Sequence, residues 1–255
     1  ELKMMVDSIA SSKFLSEAKT KTLIQKLETL CSGYQARALN REVTLANRVK
    51  SMNNTIHINV DQLHAAIAEN TQVKFRYFDY DLNKQRRYFK KGECYVVSPW
   101  RMLYADDNYY LLAWDAKEEK FKHFRVDKMD GVAQVLLGNI RVAREGAEAF
   151  DKLDMSAYTK YTFSMFGGEI EHVTMIFQNR MMGAVMDRFG RDVVVLKEDE
   201  RHFRITVPVA VSQQFFGWVF SLGKTVRIAA PEAVREKMKA SLEEISKRYS
   251  DNNLL

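Results

Sequence analysis

Three short runs alternate basic with aromatic side chains: Lys74-Phe75-Arg76-Tyr77, Arg86-Arg87-Tyr88-Phe89-Lys90-Lys91 and Lys122-His123-Phe124-Arg125. On an extended chain successive side chains point to opposite faces. Phe124 and Val126 therefore enter a core while His123 and Arg125 share the opposite face. A face that offers guanidinium groups beside rings matches phosphates and stacked bases. The same pattern also describes an ordinary solvated outer face. Ser98 and Arg101 flank Pro99 and Trp100, where a turn would present a hydroxyl and a guanidinium to a phosphate. The alternative there is a loop whose polar groups satisfy their own backbone. Trp100 either stacks on a base or plugs the barrel. Arg125 either meets an anion or forms an internal salt bridge to Asp127 or Asp115. Tyr77 and Tyr110 either line a pocket or edge the core.

Catalytic and metal patterns are missing from the sequence. It has no P-loop, no glycine-rich dinucleotide fingerprint after a strand, no His-Glu-x-x-His and no cysteine pair at metal spacing. The five histidines, at 57, 64, 123, 172 and 202, are scattered, and none has a His or Cys three or four residues away. Asp127 and Asp130 stand three apart without the ligand ladder of a calcium loop. These patterns point to a binding protein, not an enzyme, with no cofactor.

The elements that must position these residues follow from periodicity. Leu2, Val6 and Ile9 mark one helical stripe, and Leu23, Ile24, Leu27 and Leu30 mark another that Ser16 can cap and Gly33 can end. Residues 34–60 read as a connector, with Ile56 and Ile58 alternating as in a short strand. A short helix at 61–69 takes Asp61 as its cap and turns Leu63, Ala66 and Ile67 inward. From Val73 the period becomes two, and strand-like runs recur at Val73–Tyr77, Arg87–Phe89, Cys94–Val97, Tyr109–Trp114 and Phe121–Val126. Val132–Leu136 and Ile140–Ala143 are joined by Gly138-Asn139, a hairpin signal. Short strands with short turns predict a small β-barrel. Residues 145–168 carry no strong pattern and read as a linker. Beyond them the order is strand, helix, two strands, helix, strand and a last helix opened by Pro231, a ferredoxin-like arrangement.

Bulk properties agree with a two-domain α+β protein of 255 residues. Its 39 Lys and Arg against 33 Asp and Glu give a net charge of +6, a modest bias toward anionic partners. Two distant cysteines, Cys31 and Cys94, make no disulfide framework and suit a reducing cytoplasm. No apolar run approaches the roughly 18 residues of a membrane span. The chain begins at Glu1 without a methionine, as a piece of something longer would.

The motifs Val97-Ser98-Pro99-Trp100-Arg101-Met102-Leu103, Asn108-Tyr109-Tyr110-Leu111-Leu112-Ala113 and His123-Phe124-Arg125-Val126-Asp127-Lys128-Met129 resemble, in order and spacing, the WYL domain of bacterial transcriptional regulators. The family's Trp-Tyr-Leu would be Tyr109-Tyr110-Leu111, an aromatic-for-aromatic change. Its Phe-Arg-Leu-Asp-Arg appears as Phe124-Arg125-Val126-Asp127-Lys128, and the lysine keeps the charge but loses the two-pronged donor. Asp187-Arg188-Phe189-Gly190, Gly217–Gly223 and Ala230–Arg235 resemble the WCX extension found behind such domains. The resemblance implies an Sm-like, SH3-type barrel at 61–144 and a ferredoxin-like WCX domain at 169–255. Residues 1–60 would be a helical linker and dimerisation segment, behind a winged helix that the sequence does not contain. It also implies a cytoplasmic homodimer whose barrel binds single-stranded DNA or another nucleotide-type anion to control promoter binding by that winged helix. The implied site residues are Arg76, Tyr77, Ser98, Trp100, Arg101, Tyr110, His123, Arg125 and Lys128. A second reading is a stand-alone adaptor of a CRISPR or phage-resistance system that works through protein or RNA contacts.

Overall fold

A computed structural model describes residues 1–32, 50, 53, 55–153, 155 and 170–250. The chain divides into two units, Glu1–Lys152 and Leu153–Leu255. The first is organised around β1 (Val73–Tyr80), where Val73, Phe75 and Phe78 are fully buried and Lys74 and Arg76 are exposed. β1 pairs with β2 (Arg86–Tyr88), β3 (Tyr95–Ala105) and β6 (Met129–Gln134). β3 pairs with β4 (Asn108–Asp115), and β4 with β5 (Lys120–Arg125). Every pairing is antiparallel; the six-stranded sheet runs β2-β1-β3-β4-β5, and β6 pairs β1 at Val73 and Lys74 opposite β3, so β6-β1-β3-β4-β5 is a continuous run with β6 and β5 at its ends.

The two edge strands, β5 and β6, are consecutive in the chain and joined only by Val126–Lys128. Laid flat, five strands would separate the edges by about 19 Å. Four residue steps reach at most about 14 Å. The sheet must therefore curl. Its concave side holds Val73, Phe75, Val97, Leu111, Ala113, Phe124, Val126 and Met129, with Leu63 and Ala66 of α3 (Ile56–Ala68) packed among them. Phe75, Tyr95 and Phe124 meet there ring against ring, with centroids 5.2–5.9 Å apart.

Some expected boundaries move. α3 begins at Ile56, so Asp61 lies inside the helix and Ile58 on its exposed side. The start is fixed by Asn53, whose carboxamide accepts from the Thr55 N–H and hydroxyl and donates to the Asp127 carbonyl. The stretch from Ser98 to Arg101 is no turn but part of β3. The ladder absorbs Pro99, which has no N–H to give, at a β-bulge between Pro99 and Arg101 that leaves Trp100 as the extra residue. The Gly138 hairpin is present, narrowed to β7 (Leu136–Leu137) and β8 (Ile140–Arg141). Near the N-terminus, α1 (Leu2–Ser11) buries Val6, and α2 (Glu17–Glu28) opens with the Lys19 N–H donating to Ser16 Oγ. α2 ends before Gly33, which lies outside the described residues, as do 34–49 of the expected connector.

Residues 145–152, read as the start of a linker, fold onto the sheet through α4 (Ala147–Asp151). The chain enters α4 at Gly146, with φ +87° and the Trp114 side chain where a Cβ would sit.

The second unit is an antiparallel sheet ordered β10-β11-β9-β12, from β9 (Ile170–Gln178), β10 (Val195–Lys197), β11 (His202–Ala210) and β12 (Val226–Ala230). α5 (Met182–Phe189) follows β9, α6 (Gln213–Ser221) follows β11, and α7 (Glu232–Ser250) closes the unit. Val173, Met175, Phe177, Ile205, Phe215 and Val234 form its core. Ser212 caps α6 by accepting from the Phe215 N–H. Among the described residues, no helix is long and apolar enough to cross a membrane.

Candidate anion-binding face

The register of β3, β4 and β5 sets five of the nine candidate residues on one face. Ser98, Trp114 and Phe121 form one cross-strand row, Arg101, Leu112 and His123 the next, and Leu103, Tyr110 and Arg125 the third. Alternation sends their neighbours Met102, Leu111, Ala113 and Phe124 to the core side. Partners across a row stand roughly 5 Å apart at Cβ, so Tyr110 is the direct neighbour of Arg125, while Leu112 separates His123 from Arg101. The middle of the face is out of water: Leu112 is fully buried and Tyr110 nearly so. Arg101 is exposed at one end, and Arg125 is half-buried.

Each polar group has a defined state. Arg125 holds Asp127 with two contacts, Nε to Oδ1 at 3.0 Å and a terminal nitrogen to Oδ2 at 2.8 Å, and reaches Asn108 Oδ1 at 2.9 Å. The internal salt bridge anticipated for Arg125 therefore exists, with Asp127. Its backbone N–H donates to Tyr77 Oη at 3.1 Å. Burial pushes the Tyr77 hydroxyl up to about 12 and raises that of Tyr110, so both stay protonated donors at neutral pH. Burial pushes His123 down to about 4, which leaves its ring uncharged at neutral pH.

Trp100 forms the border of the face. Its Nε1–H donates to the Glu145 carbonyl at 2.9 Å, Phe150 stacks on the ring at 4.3 Å, and the Arg144 guanidinium lies 3.7 Å from the ring centroid. The ring is buried by these contacts and lies outside the concave core cluster. Ser98 Oγ accepts from the Glu145 N–H at 2.8 Å, which ties β3 to the approach of α4.

Three candidates fall elsewhere. Tyr77 packs against the concave core and meets the face only through its hydroxyl. Arg76 sits opposite Asp130 on β6 and contacts its carboxylate at 2.6 Å, beside Arg86 at 3.3 Å and the Tyr88 hydroxyl at 2.8 Å. Burial opposes ionisation of Asp130, but the donors from Tyr88 and Arg76 outweigh it and hold the carboxyl below its usual range. Lys128 pairs with Asp79 at 2.8 Å and lies over the Tyr80 ring. Motif reading did not single out Asn108, Arg144, Glu145 or Phe150. Only Asn108 falls inside a recognisable motif.

Family models place a WYL domain at residues 59–134 and a WCX domain at 169–246. The chain belongs to the WYL-domain family. Its WYL domain comprises α3 and the strands that build the face, and its WCX domain spans β9 to α7. No curated protein matches the chain in sequence. Among solved structures it is similar to the proteasome accessory factor B/C (PafBC) of Arthrobacter aurescens, at 18% identity and a TM-score of 0.31 over 86% of this chain. The chain spans only 30% of the length of that protein. It is also similar to a CRISPR Cas-related protein, at 12% identity and a TM-score of 0.44, over 98% of this chain and 71% of the other.

Proposed function

We propose that this chain is the ligand-sensing and dimerisation part of a transcriptional regulator, and not an enzyme. In this reading the WYL face of β3–β5 binds a nucleotide-type anion, with single-stranded DNA as the leading class, and the bound state controls promoter binding by a winged helix elsewhere in the full protein. The observation that carries the reading is the gathering of Ser98, Arg101, Tyr110, His123 and Arg125 into three consecutive rows of one sheet face. An anion there meets the exposed guanidinium of Arg101, the protonated hydroxyl of Tyr110 and the Arg125 fork, with an uncharged His123 next to Arg125 on the same face of β5. The arrangement suits electrostatic and hydrogen-bond recognition. It offers no activated nucleophile.

The finer architecture is read the same way: an Sm-like barrel on the strength of the curl, and a ferredoxin-like WCX domain on the strength of its strand order. Homodimerisation is proposed through the N-terminal helices or the WCX domain. Leu30, beyond α2, and Ile245 and Tyr249 of α7 leave apolar surface exposed, and sedimentation at micromolar concentration checks the point. The ligand is tested by fluorescence anisotropy with a labelled short single strand, competed by duplex, RNA and cyclic dinucleotides. Binding should weaken with salt at a log–log slope of about −0.7 per phosphate neutralised. No binding of any of these anions at low salt would overturn the proposal.

A further inference from the structure

Several cations of the first unit hold a carboxylate. Arg76 and Arg86 share Asp130, Arg125 has Asp127, Lys128 has Asp79, and Lys122 has both Asp115 and Glu118. Arg101 and Arg144 differ. Both lie at the Trp100–Phe150 stack, Arg144 at 3.7 Å from the Trp100 centroid and Arg101 at 5.9 Å from that of Phe150. Neither forms an ion pair among the described residues. Glu145, beside Arg144 in sequence, directs its carboxylate to the Gln72 amide at 3.1 Å. The basicity of Arg144 is lowered first by burial and then by the charge of Arg101, so the two guanidinium groups lie within each other's field.

Two neighbouring cations held without a counter-charge repel each other, and an anion between them removes the repulsion. The surroundings hold them ready for one. The Arg144 N–H donates to the Asn70 carbonyl at 2.9 Å, and its guanidinium carbon lies 3.7 Å from the Trp100 ring centroid. Trp100 is itself pinned by Glu145 and Phe150, and α4 can bring Phe150 there because residue 146 is a glycine. The Trp100 ring already carries Phe150 and Arg144. The pair therefore reads charge.

We propose that Arg101 and Arg144 clamp a terminal phosphate, the monoester at the end of a strand or on a mononucleotide. Two guanidinium groups balance the charge of a monoester, about −1.5 to −2 at neutral pH, whereas an internal diester carries a single charge. Planar guanidinium forks lose little freedom on binding such a group, and Arg144 is further held against the Trp100 ring. The proposal deepens the anion-sensing reading and rests on it for the identity of the ligand. Arg144 and Phe150 lie outside the matched WYL stretch of 59–134.

The test uses the full chain and one single-stranded sequence, labelled at an internal base and carrying a phosphate at its 5′ end, its 3′ end or neither. At least one phosphorylated strand should bind about tenfold or more tightly than the unphosphorylated strand, the scale of one charge-assisted contact. Arg101→Gln and Arg144→Gln should each erase that preference, while Lys197→Ala on β10 keeps it. Thermal melts check that the variants fold, and Arg101→Gln, at an exposed position, carries the test if Arg144→Gln does not. Equal binding of all three strands overturns the clamp while leaving the anion-sensing reading intact. If no strand binds, that reading fails instead, and calorimetry with adenosine 5′-monophosphate against adenosine decides the clamp alone. Heat with the monophosphate that is lost in Arg101→Gln supports it, and none overturns it.

Discussion

Asp127 is the built-in competitor of any anion that approaches Arg125, and replacing it with asparagine measures that competition. Both carboxylate oxygens contact the guanidinium, at 3.0 and 2.8 Å. Two unit charges 3 Å apart interact by about 1.4 kcal/mol in bulk water and about 5 kcal/mol at an effective dielectric of 20. The Arg125 side chain is 40% exposed and that of Asp127 17%, which puts the pair near the screened end. Pairs of this kind measure about 0.2–1 kcal/mol. Asp127→Asn keeps the shape, can accept at one position only, and removes the charge. Stability should fall by up to about 1 kcal/mol in urea denaturation. Affinity for a short single strand should rise by up to roughly fivefold at low salt, since about 1.4 kcal/mol corresponds to tenfold. Weaker anion binding by a stable, folded Asp127→Asn would refute the idea that Arg125 faces the ligand.

Three further outcomes follow from the geometry. His123 has a folded-state value near 4, below its unfolded value near 6.5. The unfolded chain thus binds more protons between those limits, and stability present above about pH 6.5 should be lost as pH falls toward 4, by about 2–3 kcal/mol. Denaturation at several pH values should show this slope, and His123→Phe should remove it. Gly146→Ala places a Cβ 2.5 Å from Trp114 Cγ on a backbone with φ +87°; left-handed strain and overpacking together should cost about 2–4 kcal/mol, read as a lower melting temperature. Asp130→Asn removes the carboxylate shared by Arg76, Arg86 and Tyr88. At that part-exposed site it should cost only about 1 kcal/mol and leave strand affinity unchanged.

The face itself was largely legible in the sequence because its logic is local. Alternation along β5 separates His123 and Arg125 from Phe124, and the structure keeps that separation. The Ser98–Arg101 segment was misread as a turn because proline usually marks one. Only the partner strand reveals that β3 continues, since the bulge at Trp100 is a property of the β3–β4 ladder. The start of α3 was misplaced for a similar reason: Asn53 fixes it through the Asp127 carbonyl, 74 residues away in sequence. Residues 145–151 looked featureless because a helix of five residues is too short for periodicity to show. Arg144 and Phe150 stayed hidden with it. The alternative partner of Arg125, Asp127, could be named from proximity along the chain, but that the pair forms needed coordinates.

The central claim, that the β3–β5 face binds an anion, is tested most directly at Arg101. Its guanidinium is exposed and has no acidic partner among the described residues, so its removal leaves no stranded counter-charge in the fold. The measurement is the affinity of a short single strand for the unaltered chain, Arg101→Ala and Lys197→Ala, side by side at low salt. Loss of one charge-assisted contact predicts binding about tenfold or more weaker for Arg101→Ala, with Lys197→Ala close to the unaltered chain. Equal affinities for all three proteins would contradict the account.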